Sequence, residues 1–364
     1  MASVSFPNFS PAKSQSRTLR GRSSRLSSWL DFRRASHPWL RTLGAIVVLA
    51  VFAETGVRLI EYATDLPFDD ARSAAKLKLA PGSMLGGRAI NAAGYWDGEF
   101  TDAAPVTSPR IAVLGGLTTL GGDAETNFVA QLESRLGDVE IDHFGLPQAG
   151  PREHAAQLVR DVLKRKPKRV LICLDATDEF APRHVRRSRL DCRTLEFVNA
   201  MFTPSTAAAT DGPRSLHLTP MLDYDEYVRS RAPSVLAASK AKDAEREAHR
   251  RDAQAALERL VRACNKQNIP VTLVLAPGEF QLSTTLTAAF CRRMQLEPTD
   301  LELDLPQRRW SALAEHLQVS KIDLLPALRE KGEIVYLPNS AEWNERGQTI
   351  VAETIARDLK NRGI

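Results

Sequence analysis

The chain has 364 residues, 43% hydrophobic and 26% charged, which suits one large globular domain with extra segments. Its formal net charge of +5 is unevenly placed, because up to Arg41 the sequence carries Lys13, Arg17, Arg20, Arg22, Arg25, Arg33, Arg34 and Arg41 against Asp31 alone. The remainder is slightly acidic, which argues against a nucleic-acid surface on the main domain and leaves the basic tail to be explained by the apolar segment that follows it.

Residues 1–38 are rich in Ser and Arg with no hydrophobic period and predict a disordered basic tail. Residues 39–62 predict a transmembrane anchor. The fully apolar core of that stretch is short, and it reaches spanning length only by accepting Glu54 and Arg58, whose i,i+4 spacing lets them pair on one helix face. Arg58 can also snorkel to the interface. A cleaved secretory segment or a core helix is the alternative, but no small-x-small cleavage site follows the apolar core. With an anchor, the positive-inside rule keeps the N-terminus cytoplasmic and places the main domain outside the cell membrane.

Residues 63–108 predict an irregular lead-in. From Arg110 apolar runs alternate with helical spacing over a domain taken as 109–364. Ile111–Leu114 predicts a strand, Phe128, Leu132 and Leu136 a helix, and Val139–Phe144 a second strand. Pro151 opens a helix, and Arg169–Leu174 is a third strand, apolar after its first residue as in the centre of a parallel sheet. Residues 179–233 form an Arg- and Pro-rich insert, and 234–266 read as one long charged helix. Val271–Ala276 is a fourth strand. A helix at Trp310–Leu317, a strand at Val319–Ile322 and a last helix at Glu345–Leu359 follow. Strands separated by helices of this length predict a doubly wound, mostly parallel α/β domain.

The four cysteines, Cys173, Cys192, Cys264 and Cys291, show no C-x-x-C pair and no His at zinc spacing. Cys173 sits in a strand-like run as a small hydrophobe, and the other three leave room for one disulfide outside the cytoplasm. His154, His184, His217, His249 and His316 have no partner pattern and predict surface or semi-buried side chains. No P-loop, Rossmann fingerprint or H-E-x-x-H is present, so neither cofactor nor metal is expected.

Five short stretches carry a further signal. They are Leu114-Gly115-Gly116-Leu117-Thr118-Thr119, His143-Phe144-Gly145-Leu146-Pro147, Leu174-Asp175-Ala176-Thr177-Asp178, Ile269 through Pro277, and Asn339-Ser340-Ala341-Glu342-Trp343-Asn344. In order and spacing they resemble the blocks of the SGNH/GDSL hydrolases, over about two-thirds of the chain. Asn91-Ala-Ala-Gly94-Tyr95 likewise resembles an N-x-x-G-[FY] segment that precedes the domain in membrane-linked members, and a surface glycine turn is its plain alternative.

The resemblance implies a serine nucleophile where Leu117 stands, an oxyanion asparagine where Thr177 stands, an aspartate at Ser340 and a histidine at Glu342. A serine hydroxyl, an imidazole to take its proton and a carboxylate to orient that imidazole make the family's chemistry, so the chain predicts a catalytically degenerate member. Gly116, Gly145 and Thr177 are the candidate oxyanion or binding groups, although tight strand-to-helix turns also explain the glycines. The alternative is an ester hydrolase or acyltransferase with relocated groups: Thr118 as nucleophile, with Glu342 or Asp178 as its base. Asp175 and Asp178 read either as a carboxylate pair at the crevice or as an ordinary surface turn. The family's active members act on lipids, esters and cell-envelope polysaccharides, so the implied partners are the membrane and an envelope polysaccharide, lipid or protein complex.

Overall fold

The computed structural model describes residues 38–64, 67–100, 109–178, 222–240, 244–331 and 334–364. The basic tail, Cys192, His184, His217 and most of the expected insert lie outside them.

Helix α1 (Pro38–Thr64) contains one stretch, Thr42–Ala63, long and apolar enough to cross a membrane. Its 22 residues give about 33 Å at the α-helical rise, against about 30 Å of bilayer hydrocarbon. Leu49, Phe52 and Leu59 are all exposed along it.

Residues 63–108, expected to be irregular, contain helix α2 (Phe68–Lys76) and a short antiparallel pair, β1 (Met84–Leu85) with β2 (Arg88–Ala89). The Asn91–Tyr95 segment is not a surface turn. Asn91 Oδ1 accepts the N–H groups of Ala93 and Tyr95, and Gly94 takes a positive φ of 84°, where a side chain would be strained. That geometry drives Tyr95 and Trp96 into the domain, both fully buried. The Tyr95 hydroxyl donates to Asp161 at 2.6 Å, and the Trp96 indole donates to the Leu85 carbonyl.

Five parallel strands follow: β3 (Arg110–Gly115), β4 (Glu140–Gly145), β5 (Arg169–Asp175), β6 (Val271–Ala276) and β7 (Ser320–Asp323). Their order is β4-β3-β5-β6-β7, which confirms the doubly wound architecture expected from the alternation. The two faces of the sheet hold separate cores. Ala112, Leu114, Val170 and Ile172 point to one face and are covered by α4 (Pro151–Gln157), α6 (Ala244–Asn265) and α8 (Leu305–His316). Ile111, Val113, Leu171 and Cys173 point to the other and are covered by α3 (Phe128–Leu136), α9 (Leu325–Glu330) and α10 (Glu345–Asn361). This is the period-2 consequence of a strand buried on both sides.

The single helix expected at 234–266 is two, α5 (Tyr224–Ser239) and α6. Asp223 caps α5 by accepting the Glu226 N–H, and Lys240 ends it in an extended conformation. The break follows from two different cores. Val228, Ala232 and Val235 pack against Phe280 and Phe290 near α7 (Thr284–Met294), whereas Ala256, Leu257 and Leu260 pack on the sheet. Cys173, Cys264 and Cys291 are buried free thiols, so no disulfide joins Cys264 to Cys291. His154 is fully buried rather than superficial, and burial pushes its imidazole down to about 4.

Candidate active site

The turn after β3 meets the other blocks. Residues Leu117–Leu120 form one 3-10 turn entered through Gly115 and Gly116. Register pairs Gly115 with Gly145, which sets the first two blocks side by side at the strand carboxyl ends. A Cβ on Gly145 would lie 2.6 Å from Thr119 Oγ1, 2.7 Å from His143 Nε2 and 2.9 Å from Leu120 Cδ2. A Cβ on Gly116 would come 3.2 Å from the Ala149 carbonyl and 3.9 Å from Asp178 Oδ1 in the third block. One on Gly121 would come 3.4 Å from the Glu342 Cβ in the last block. Segments far apart in sequence therefore converge on one short turn, and packing explains the glycines.

The side chains of these blocks are largely buried or engaged with their own segments. Leu117 is half-buried and has no nucleophilic atom. Thr118 is 3% exposed, and Thr119 is buried with its hydroxyl donating to the Gly116 carbonyl at 2.8 Å. Thr177 donates both its N–H and its hydroxyl to Asp175 Oδ1, at 2.9 and 2.8 Å, so the hydroxyl expected to serve an oxyanion is occupied. Ser340 Oγ accepts the Glu342 N–H at 3.1 Å. The rest of the last block is structural. Trp343 is fully buried edge-on to Phe128, with ring centroids 5.8 Å apart, and Asn344 caps α10 by accepting the Gly347 N–H.

Asp175 and Asp178 do not form a surface turn. Asp175 is buried, and its N–H donates to Asp178 Oδ2 at 2.6 Å. Burial raises both carboxyls, and each feels Arg231 as a counter-charge. Arg231 itself makes a two-pronged pair with buried Glu279, Nε to Oε1 at 3.0 Å and Nη2 to Oε2 at 3.2 Å. The Glu279 carboxyl is lowered: burial pushes it up, and Arg231 more than offsets that.

Beside this network an open groove of about 500 Å³ is lined by Tyr224, Tyr227, Leu282, Leu286, Tyr336 and Ser340, among others. It shares Ser340 with the expected site but lies toward the ends of β6 and β7. Sequence reasoning missed Arg231, Glu279 and the tyrosines. Arg231 falls in the stretch read as an insert, and nothing in its neighbours marks it. Among the described residues no group of three or more His, Cys, Asp or Glu side chains is placed to hold a metal ion.

No protein-family model and no curated protein matches the chain. Solved structures to which it is similar include a lipase/acylhydrolase from Enterococcus faecalis, at 13% identity and TM-score 0.39, covering 70% of this chain and 96% of that one. A G-D-S-L family lipolytic protein from Desulfitobacterium hafniense gives 14% identity and TM-score 0.38, with 69% and 99% covered. A catalytic mutant of an acetylxylan esterase from Geobacillus stearothermophilus gives 15% identity and TM-score 0.39, with 69% and 94% covered.

Proposed function

We propose that this chain is a membrane-anchored, SGNH/GDSL-hydrolase-like protein that has lost ester hydrolysis and serves as a binding or assembly factor at the cell envelope. The observation that carries the reading is the state of the turn after β3: Leu117, which the resemblance aligns with the nucleophile, has no nucleophilic atom, Thr119 is bonded to its own turn, and Thr177 spends its hydroxyl on Asp175. An acyl-enzyme needs an accessible nucleophile with its base in hydrogen-bond reach, and oxyanion donors by themselves give only residual acceleration. The groove beside Ser340 is the part suited to binding, being concave, largely apolar and edged by tyrosines. In this reading α1 is the anchor, the N-terminus is cytoplasmic, and the domain meets an envelope polysaccharide, lipid or protein complex outside.

The test is turnover and labelling of the full chain in detergent. Short acyl p-nitrophenyl esters are expected to hydrolyse no faster than with a denatured control, and a fluorophosphonate is expected to leave the protein unmodified. Stoichiometric labelling abolished by Thr118→Ala would establish the relocated-nucleophile enzyme instead.

A further inference from the structure

Outside α1, the large hydrophobic side chains left exposed among the described residues are Tyr224, Ile334 and Leu337, and all three line the groove beside Ser340. Scattered exposed leucines are ordinary, but exposed apolar side chains gathered on one concavity mark a surface that a partner covers. The charged groups in its walls are already matched, Glu279 by Arg231 and Arg329 by Asp304. Its rim at Tyr224 is acidic: Asp223, Asp225 and Glu226 are exposed there, against Arg229.

One wall of the groove is the extended segment 334–337, which pairs antiparallel with 342–344. The Leu337 N–H donates to the Glu342 carbonyl and the Asn344 N–H to the Val335 carbonyl, both at 2.9 Å. Tyr336 therefore occupies a non-hydrogen-bonded position opposite Trp343, and its own N–H and carbonyl face the outer edge of the pair. Among the described residues neither group meets a backbone partner, although Tyr336 is only 7% exposed. The Tyr227 hydroxyl, in the same lining, stands beside Glu279 and Arg231 but meets neither in good hydrogen-bond geometry, with its residue 4% exposed. Buried polar groups left unpaired are costly. They set what the occupant carries: N–H and C=O groups for the wall, and apolar side chains for the leucines.

We propose that this groove docks an extended apolar peptide segment of a partner protein, which adds as a strand along Tyr336 and brings a basic residue to the rim at Tyr224. The proposal rests on the binding reading given above and names the occupant of that groove. In strand addition the main-chain hydrogen bonds supply affinity, and pockets for alternate side chains supply specificity. Leu282, Leu286, Ile334 and Leu337 offer those pockets. The acidic rim complements a lysine or arginine at one end of the segment, and the matched charges within the walls favour uncharged residues between. A fatty acyl chain would cover the leucines but leave the Tyr336 N–H and carbonyl unmet.

The experiment selects binders from a display library of random short peptides on the full chain in phospholipid nanodiscs, so that no detergent competes for the groove. The strongest binder is synthesised, and its Kd is read by fluorescence anisotropy. Ile334→Asp and Leu337→Asp are each expected to weaken it at least about tenfold, and Ile334 is 80% exposed, so that variant leaves the fold intact. With peptide about 100-fold above Kd, the Tyr336 amide is expected to exchange about 100-fold more slowly. N-methylating the peptide amides on one edge is expected to weaken binding about tenfold, and exchanging its basic residue for glutamate to weaken it further at low salt. A library that yields no binder overturns the proposal, and a dimer lost in Leu337→Asp would then assign the face to a second copy. Binding that survives both aspartate variants, or leaves Tyr336 exchange unchanged, overturns it as well. An N-methylated peptide that binds equally well overturns strand addition in favour of a small apolar ligand. Esterase and labelling assays are independent of these outcomes, so failed docking leaves the loss of hydrolysis standing.

Discussion

Replacing Arg231 by methionine removes the cation from a site that holds Glu279, Asp175 and Asp178. Arg231 binds Glu279 through two hydrogen bonds, and Glu279 is 3% exposed, so the variant strands a buried carboxylate. Breaking a buried pair by removing one partner costs about 3–5 kcal/mol. The lower end applies here because the Arg231 side chain retains 21% exposure, so we expect a loss of about 3 kcal/mol at neutral pH. For a domain of this size that corresponds to a fall in Tm of about 6–12 °C. The cost depends on pH. The Glu279 carboxyl is lowered in the folded wild type, so its pair contributes fully above the ordinary glutamate range and fades as pH falls through the lowered value. In the variant Glu279 can take a proton, so the gap between the two proteins narrows in acid. Thermal unfolding followed by near-UV circular dichroism at pH 5 and pH 8 measures both effects. The double variant Arg231→Met with Glu279→Gln restores charge balance and is expected to recover most of the loss. A single variant costing under about 1 kcal/mol, or a double variant no better than the single, would refute the network as a buried ion pair.

The buried neutral His154 stabilises the fold less as pH falls: the unfolded chain takes up a proton below about 6.5, while the folded one waits until about 4. Urea titrations of wild type and His154→Met are expected to converge toward acid, by up to about 3 kcal/mol between pH 6.5 and 4. Gly145→Ala drives a methyl group into Thr119, His143 and Leu120 and is expected to cost about 1–3 kcal/mol by overpacking, read from the same titrations; an unchanged midpoint would mean the turn yields. Trp343→Ala empties a fully buried site against Phe128 and is expected to cost about 3–5 kcal/mol, so a loss below about 1 kcal/mol contradicts the packing assigned to the last block. In fractionated cells the protein is expected to stay with membranes through high-salt washing, since apolar insertion is not screened; release by salt would reduce α1 to an adsorbed segment.

The sequence by itself determined the layered architecture. Apolar runs such as Val170–Leu174 and Val271–Ala276 have no polar face, so they must be covered on both sides, and helices of the right length lie between them. The collinear blocks also announced which turns would meet, because a parallel sheet brings strand ends together whatever their separation in the chain. The sequence did not decide what those turns hold. Asn91 and Gly94 read equally well as a surface turn until Tyr95 and Trp96 were seen buried. Asp175 and Asp178 read either as a crevice pair or as a surface turn until they were found near Arg231 with carboxyls that burial raises. Hydrophobic periodicity is a local property, fixed by the period of a helix or strand. The state of a carboxylate is set by which distant groups exclude water and supply counter-charge, and only the tertiary structure brings Arg231 to Glu279.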